Sequence, residues 1–239
     1  MRSINKGGQP QELISWRAEN AATPQNLVYG GGAFPSEAVR EALLAEQFHL
    51  CAYTLRRLKT AAECQAEGKD TRFSCHVEHL LPQCRGVPGE DIDYQNMVAC
   101  FPSSQSTVAC EFGAHAKADF DPSTGGFVSP LSHTAERHFE FDERGGISGR
   151  TADGISTINI LKLNHKTLVN DRAAVIKGYL QPKGKKVSAQ AARRLAQEVL
   201  RADAQQRLPT YCVAVAQTAL QHAEREERRA ARMQKKGAR

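Results

Sequence analysis

The segment CHVEHLLPQC, residues 75 to 84, places two histidines and a glutamate within four positions and follows them at once with apolar residues. Ionisable side chains in an apolar strand are costly to bury unless they reach solvent, pair with one another or bind a metal ion. The spacing differs from the helical H-E-x-x-H motif of zinc proteases. We therefore interpret the segment as a functional site on a short strand.

The composition is that of an ordinary soluble protein. The chain has 239 residues, of which 41% are hydrophobic and 24% charged, enough for one core or two small domains. No apolar run suits a signal peptide or a membrane span, so we expect a cytoplasmic protein with no membrane partner. The 7 cysteines include no C-x-x-C pair, which favours reduced thiols over a disulfide framework.

The positive charge is concentrated at the C-terminal end. The formal net charge of the chain is +6, and residues 228 to 239, RRAARMQKKGAR, contain basic residues and no acidic one. A basic tail of this kind is typical of polyanion binding. It is equally typical of a solvated, frayed helix end.

The first part of the chain predicts an irregular arm followed by a helix. Residues 1 to 34 are rich in Gly, Gln, Asn and Pro, with one short helix predicted near Glu12 to Arg17. A second helix is predicted after Ser36, an N-cap candidate. Its apolar face is formed by Val39, Leu43, Leu44, Phe48 and Leu50.

The rest of the chain predicts an α+β fold. Residues from Cys51 to about Phe120 have the pattern of short strands and turns, with a small Ala-rich helix near Phe112 to Ala118. Beyond a loop and strand region, helices are predicted near 155–180, 188–207 and 210–233. We expect three segments: an arm over 1–40, a ββα-metal nuclease core over 41–120, and a mainly helical region with a basic tail over 121–239.

Glu78, His79, Asn96 and His115 follow one another in an order that suits hydrolysis of phosphodiesters. An imidazole is a suitable general base for water because its pKa lies near neutral pH. A carboxylate such as Glu78 is an oxygen ligand that Mg²⁺ or Mn²⁺ prefers, and the His115 imidazole widens the choice toward Ni²⁺ or Zn²⁺. Adjacent strand residues point to opposite faces, so Glu78 and His79 share one ion only if the strand bends. Asn96 is predicted to hydrogen-bond the backbone across the turn.

These residues resemble the HNH endonuclease fold. Over most of residues 1 to 180 the chain is similar to the HNH subunit of Septu-type and retron-associated anti-phage defence systems. The most specific elements are VEH followed by a proline, and the downstream N-x-x-x-C of DYQNMVAC. The resemblance also covers the segments MRSINKGGQP, LLAEQFHLCAYTLRRL, FVSPL, HFEFDERGGIS and INILKLNHKTLVNDR.

The resemblance implies a role for each motif residue. Glu78 corresponds to the metal ligand, His79 to the general base and Asn96 to the central HNH asparagine. In the third motif the family has a ligand three residues before a lysine; with Lys117 as that lysine, the ligand position is Ala114. Either His115 provides the ligand through a shifted helix, or the ligand comes from elsewhere.

Lys117 and His76 each have two alternative interpretations. Lys117 would contact a phosphate or cap the C-terminus of the short helix. His76 would be a second metal ligand or a histidine on the surface of an edge strand.

A structural zinc site is a further possibility implied by the resemblance. Relatives often carry four cysteines here, whereas this chain has Thr54 and Ser103 at two of the positions and keeps Cys51, Cys100 and Cys110. Three thiolates make a weak site unless a further ligand completes it. The available candidates are Cys75, Cys84 and His76.

The resemblance implies a toxic effector nuclease restrained by a partner. The chain contains no G-x-x-x-x-G-K-[ST] motif, so nucleotide gating would come from an ABC- or SMC-like ATPase subunit. Retron versions would add a reverse transcriptase with its RNA-linked DNA, and we expect the C-terminal helices to dock the partner. The substrate would be DNA, or an RNA such as a tRNA. The main alternative is a non-catalytic, zinc-stabilised nucleic-acid-binding adaptor; a stand-alone HNH enzyme is a third.

Overall fold

A computed structural model describes residues 1–68, 74–106 and 109–237, with side chains described up to residue 235. The chain is α+β and mostly helical, with two small two-stranded sheets among the described residues. The predicted fold class is thus confirmed at this level. Arg239 of the predicted basic tail, and the side chain of Lys236, lie outside the described residues.

Residues 1–68 contain three α-helices: α1 (Gln11–Glu19), α2 (Ser36–Glu46) and α3 (Ala61–Ala66). The helix expected near Glu12 is therefore confirmed. The N-cap assignment for Ser36 is wrong, because Ser36 is the first helical residue and Pro35 occupies the cap position. Phe48 and Leu50 lie beyond the end of α2, since the helix stops at Glu46.

Two antiparallel hairpins separate the N-terminal and C-terminal helices. Strand β1 (His76–His79) pairs with β2 (Met97–Cys100), and the short helix α4 (Ala114–Lys117) follows. Strand β3 (Phe139–Phe141) pairs with β4 (Ile147–Gly149). The predicted Ala-rich helix near Phe112 is thus confirmed in a shorter form.

Four helices complete the chain: α5 (Ala152–Ile160), α6 (Lys166–Leu180), α7 (Ala189–Glu198) and α8 (Cys212–Gly237). The single helical stretch predicted over 155–180 is two helices, because Lys162 between them has a left-handed φ of 47°. No helix in the described part of the chain is both long and apolar enough to cross a bilayer.

The buried hydrophobic side chains of the arm, of the hairpin region and of the C-terminal helices belong to one cluster. Leu13 and Trp16 of α1 are in it, together with Val77 of β1 and Val215 of α8. The division into three segments stays a prediction. What matters for the site is that the arm packs directly on the hairpin that carries the HVEH motif.

Candidate active site

Strand β1 separates the HVEH side chains into two pairs. Its pairing with β2 is regular from His76, opposite Cys100, to His79, opposite Met97. Because side chains alternate along a strand, His76 and Glu78 share one face while Val77 and His79 share the other. Burial follows this alternation, since the first pair is half-buried and the second is buried. The strand is regular up to His79 and the chain bends only after it, at Leu80 and Leu81, so Glu78 and His79 leave the strand on opposite faces.

Glu78 lies in a polar cluster with three partners. Its Oε1 is 3.1 Å from the Lys117 Nζ and accepts a hydrogen bond of 3.3 Å from the Tyr53 hydroxyl. Its Oε2 is 3.9 Å from the His76 Nε2. Burial, reinforced by the Glu78 carboxylate, raises the pKa of Tyr53 well above its usual value, so this phenol is a neutral donor.

Lys117 reaches this cluster from α4. Only 1% of its side chain is exposed, and its ammonium donates a second hydrogen bond of 3.0 Å to the His79 carbonyl oxygen. A buried charge needs such partners, because leaving it unpaired would be strongly unfavourable. Lys117 thus ties the Glu78 carboxylate to the end of β1; contact with a phosphate stays a prediction.

His79 is held by a backbone carbonyl on the other face of the hairpin. Its Nε2 lies 2.8 Å from the Asp91 carbonyl oxygen, and its ring meets the Tyr29 ring edge-on at 4.7 Å. Since a carbonyl only accepts, Nε2 carries the proton and Nδ1 keeps its lone pair. No described residue hydrogen-bonds to that Nδ1. Burial lowers the pKa of His79 despite the Asp91 carbonyl, so the neutral form prevails at pH 7.

Asn96 fixes the turn that follows β1. Its Oδ1 accepts from the Leu81 backbone N–H at 2.7 Å, and its Nδ2 donates to the carbonyl oxygens of Leu81 and Glu90 at 3.1 and 3.0 Å. The predicted hydrogen bonds across the turn are therefore confirmed. They also hold the loop that ends at Asp91, whose carbonyl orients His79.

The two candidate ligand positions of the third motif, Ala114 and His115, lie on different sides of α4. Ala114 and Lys117 are buried, whereas His115 is exposed. The position at which the resemblance implies a ligand therefore carries a methyl group. The His115 ring nevertheless lies only 5.7 Å from the His76 ring, centre to centre.

The three cysteines predicted as zinc ligands differ in their environments. Cys51 and Cys100 are fully buried and hydrogen-bonded to each other, whereas Cys110 is half-buried and donates to the Phe112 carbonyl. Burial acts to raise the pKa of Cys51. Hydrogen bonds from Cys100, Thr54 and the Phe101 amide outweigh this effect and lower the pKa to about 5. Among the described residues no group of three His, Cys, Asp or Glu side chains is arranged to hold a metal, so structural zinc stays a prediction.

Sequence reasoning missed three contributors to the site: Tyr29, Tyr53 and Asp91. Tyr29 and Tyr53 act across tens of residues, and Asp91 acts through its backbone carbonyl, so no local pattern identifies them. The Tyr29 backbone N–H also donates to the Asp91 carboxylate at 2.7 Å, which links the arm to the loop that holds His79. Comparison with known proteins adds no further residue, because no family model and no curated protein matches the chain.

Proposed function

We propose that this protein is a metal-dependent endonuclease of the HNH type, which hydrolyses phosphodiester bonds of a nucleic acid. The observation that carries the proposal is the state of His79: its Nε2–H is anchored on the Asp91 carbonyl, and its Nδ1 is left as a proton acceptor. The neighbouring carboxylate of Glu78 and the order β1, β2, α4 support the same conclusion.

Each residue of the site has a definite task in this reaction. His79 takes a proton from the attacking water at Nδ1. Asn96 and the Asp91 carbonyl hold the imidazole in the productive orientation and tautomer. Lys117 fixes the Glu78 carboxylate, which is a positioning role and leaves Oε2 available.

The donor set fits a divalent ion with few protein ligands. Mg²⁺ and Mn²⁺ sites in nucleases commonly use one or two side chains and complete their coordination with water and phosphate oxygens. Glu78 would hold the ion, and the ion would neutralise the charge that develops on the scissile phosphate. Lys117 and Tyr53 hold one oxygen of the Glu78 carboxylate, and the other oxygen, which faces His76, is the one that would bind the ion.

We further propose that the nuclease is the cytoplasmic, toxic effector of an anti-phage complex of the Septu or retron type. This step rests on the sequence resemblance alone. An ABC- or SMC-like ATPase would restrain the nuclease, in retron versions together with a reverse transcriptase and its RNA-linked DNA. The exposed surface of α7 and α8 is the proposed docking region.

The test is cleavage of labelled duplex DNA, single-stranded DNA and total cellular RNA with Mg²⁺ or Mn²⁺, with and without the ATPase. We expect cutting by the wild type and by His133→Ala, an exposed histidine distant in sequence from the site, and none by a folded His79→Ala. Absence of cutting under every condition would overturn the nuclease proposal.

The adaptor function is the second candidate, and one observation favours it. Glu78 already has a buried cationic partner in Lys117, so the cluster is electrostatically satisfied without a metal ion. A purely structural site predicts that His79→Ala unfolds the protein. A nuclease site predicts that the same variant melts cooperatively and only loses activity.

A further inference from the structure

The half-buried face of β1 presents two metal-binding atoms side by side. His76 and Glu78 are separated by two positions on a regular strand, so their side chains project in the same direction. The His76 Nε2 and the Glu78 Oε2 lie 3.9 Å apart. Two ligand bonds of about 2.1 Å each reach across this gap, and a modest side-chain adjustment brings the two atoms to the closer spacing of a tetrahedral or octahedral site.

The orientation of the His76 ring is already fixed for this role. Its Nδ1 lies 2.6 Å from the Pro102 carbonyl oxygen, which only accepts, so Nδ1 carries a proton and Nε2 is the nitrogen that faces Glu78 and would bind the ion. Metal-binding histidines usually donate their second N–H to a carbonyl or carboxylate in this way. The other Glu78 oxygen is occupied by Lys117 and Tyr53, which leaves Oε2 for the ion.

We infer that His76 and Glu78 are the primary ligands of a divalent ion, with His115 as a third ligand after rotation of its side chain. No three donors enclose an ion as the described residues stand, but His115 is exposed and its ring centre is 5.7 Å from that of His76. His76 thus replaces the ligand that Ala114 does not provide. The inference deepens the proposed function by assigning the ligands of its ion.

The donor set has a consequence for metal preference. Two imidazoles and one carboxylate favour Mn²⁺, Ni²⁺ or Zn²⁺ over Mg²⁺, which prefers oxygen ligands alone. Mn²⁺ is the best probe, because the buried thiols of Cys51 and Cys100 would compete for Zn²⁺. We expect one Mn²⁺ per chain, bound more tightly than Mg²⁺.

The experiment is titration of the metal-stripped full-length chain with Mn²⁺, followed by the electron paramagnetic resonance signal of free Mn²⁺. We expect His76→Gln and Glu78→Gln to weaken binding by about tenfold or more, and His115→Gln to weaken it less. His133→Gln is the matched control and should bind like the wild type. His79→Gln should bind Mn²⁺ normally and cut nothing, which separates the ligands from the base.

A second measurement avoids substitutions altogether. Substoichiometric Mn²⁺ should broaden the ring proton resonances of His76 and His115 in the wild-type protein before those of His133. Unchanged Mn²⁺ affinity in His76→Gln, no broadening at His76, or no Mn²⁺ binding by the wild type would overturn the inference. Nucleic-acid cutting that survives His76→Gln would leave the nuclease intact and reject this ligand, whereas normal Mn²⁺ binding without cutting would reject the nuclease alone.

Discussion

The β1–β2 hairpin region and the α7–α8 helix pair differ in where their ion pairs lie, because the Lys117–Glu78 pair is largely buried and the Arg193–Glu227 pair is exposed. In the hairpin region, His79, Asn96 and Lys117 are buried polar groups, and each is hydrogen-bonded to a backbone carbonyl. Helices α7 and α8 pack against each other, and their buried residues include Ala192, Ala196, Ala219 and Ala223 together with the polar Thr218 and His222. Their charged pairs lie outside, as in the bidentate contact of Arg193 with Glu227.

This difference predicts where single substitutions are costly. A buried polar group that loses its partner keeps the full desolvation penalty, whereas an exposed ion pair is exchanged for water at little cost. The hairpin should therefore be sensitive to removal of individual charges and amides, and the surface of the helix pair should tolerate it.

The largest effect is expected for Lys117→Met, which leaves the Glu78 carboxylate without its buried cation. Removal of one member of a buried pair should lower the free energy of unfolding by about 3 kcal/mol or more. Urea unfolding followed by circular dichroism measures it. The double variant Lys117→Met with Glu78→Gln should recover part of the loss, and a single-variant loss below about 1 kcal/mol would contradict the buried pair.

A smaller decrease in the free energy of unfolding is expected for Asn96→Ala. The substitution deprives the Leu81 N–H and two carbonyl oxygens of their partners, so we expect a loss of about 2 to 3 kcal/mol in the same unfolding experiment. Asn159→Ala, an exposed asparagine on α5, is the matched control and should be close to neutral. If both variants lost the same free energy of unfolding, Asn96 would not be the residue that stabilises the turn.

The smallest effect is expected for Arg193→Gln on the outside of the helix pair. This substitution also removes one member of an ion pair, but both partners face solvent. The urea midpoint should not change measurably, because solvent and salt already weaken the contact. A destabilisation comparable to that of Lys117→Met would abolish the distinction between the two regions.

The sequence predicted the parts of this fold that depend on local pattern. The spacing of Val39, Leu43 and Leu44 identified α2, and all three residues are buried. The end of α2 and the break at Lys162 were not predicted, because the left-handed backbone at Phe48 and at Lys162 leaves no mark in the apolar spacing. Helix boundaries are therefore less predictable than helix existence.

Within the site, the sequence predicted the motif residues and their order along the chain. It did not predict which residues contact them in the folded protein. The adjacency of Glu78 and His79 is visible in the sequence, and so is the asparagine after the turn. The contact of Tyr29 with His79 joins residues 50 positions apart and has no local signature. The choice of His76 rather than Ala114 as a potential ligand required the geometry of the Pro102 carbonyl.

The most direct test of the central claim is chemical rescue of His79→Gly by imidazole in a metal-dependent nucleic-acid cleavage assay. If His79 is the general base, the variant should fold and its cleavage rate should fall by a factor of about 10² to 10⁴. Activity should then return in proportion to the added imidazole. The wild type and His133→Gly should not respond to imidazole. A variant that cuts as fast as the wild type, or that folds, binds Mn²⁺ and is not rescued, would contradict the assignment of His79 as the catalytic base.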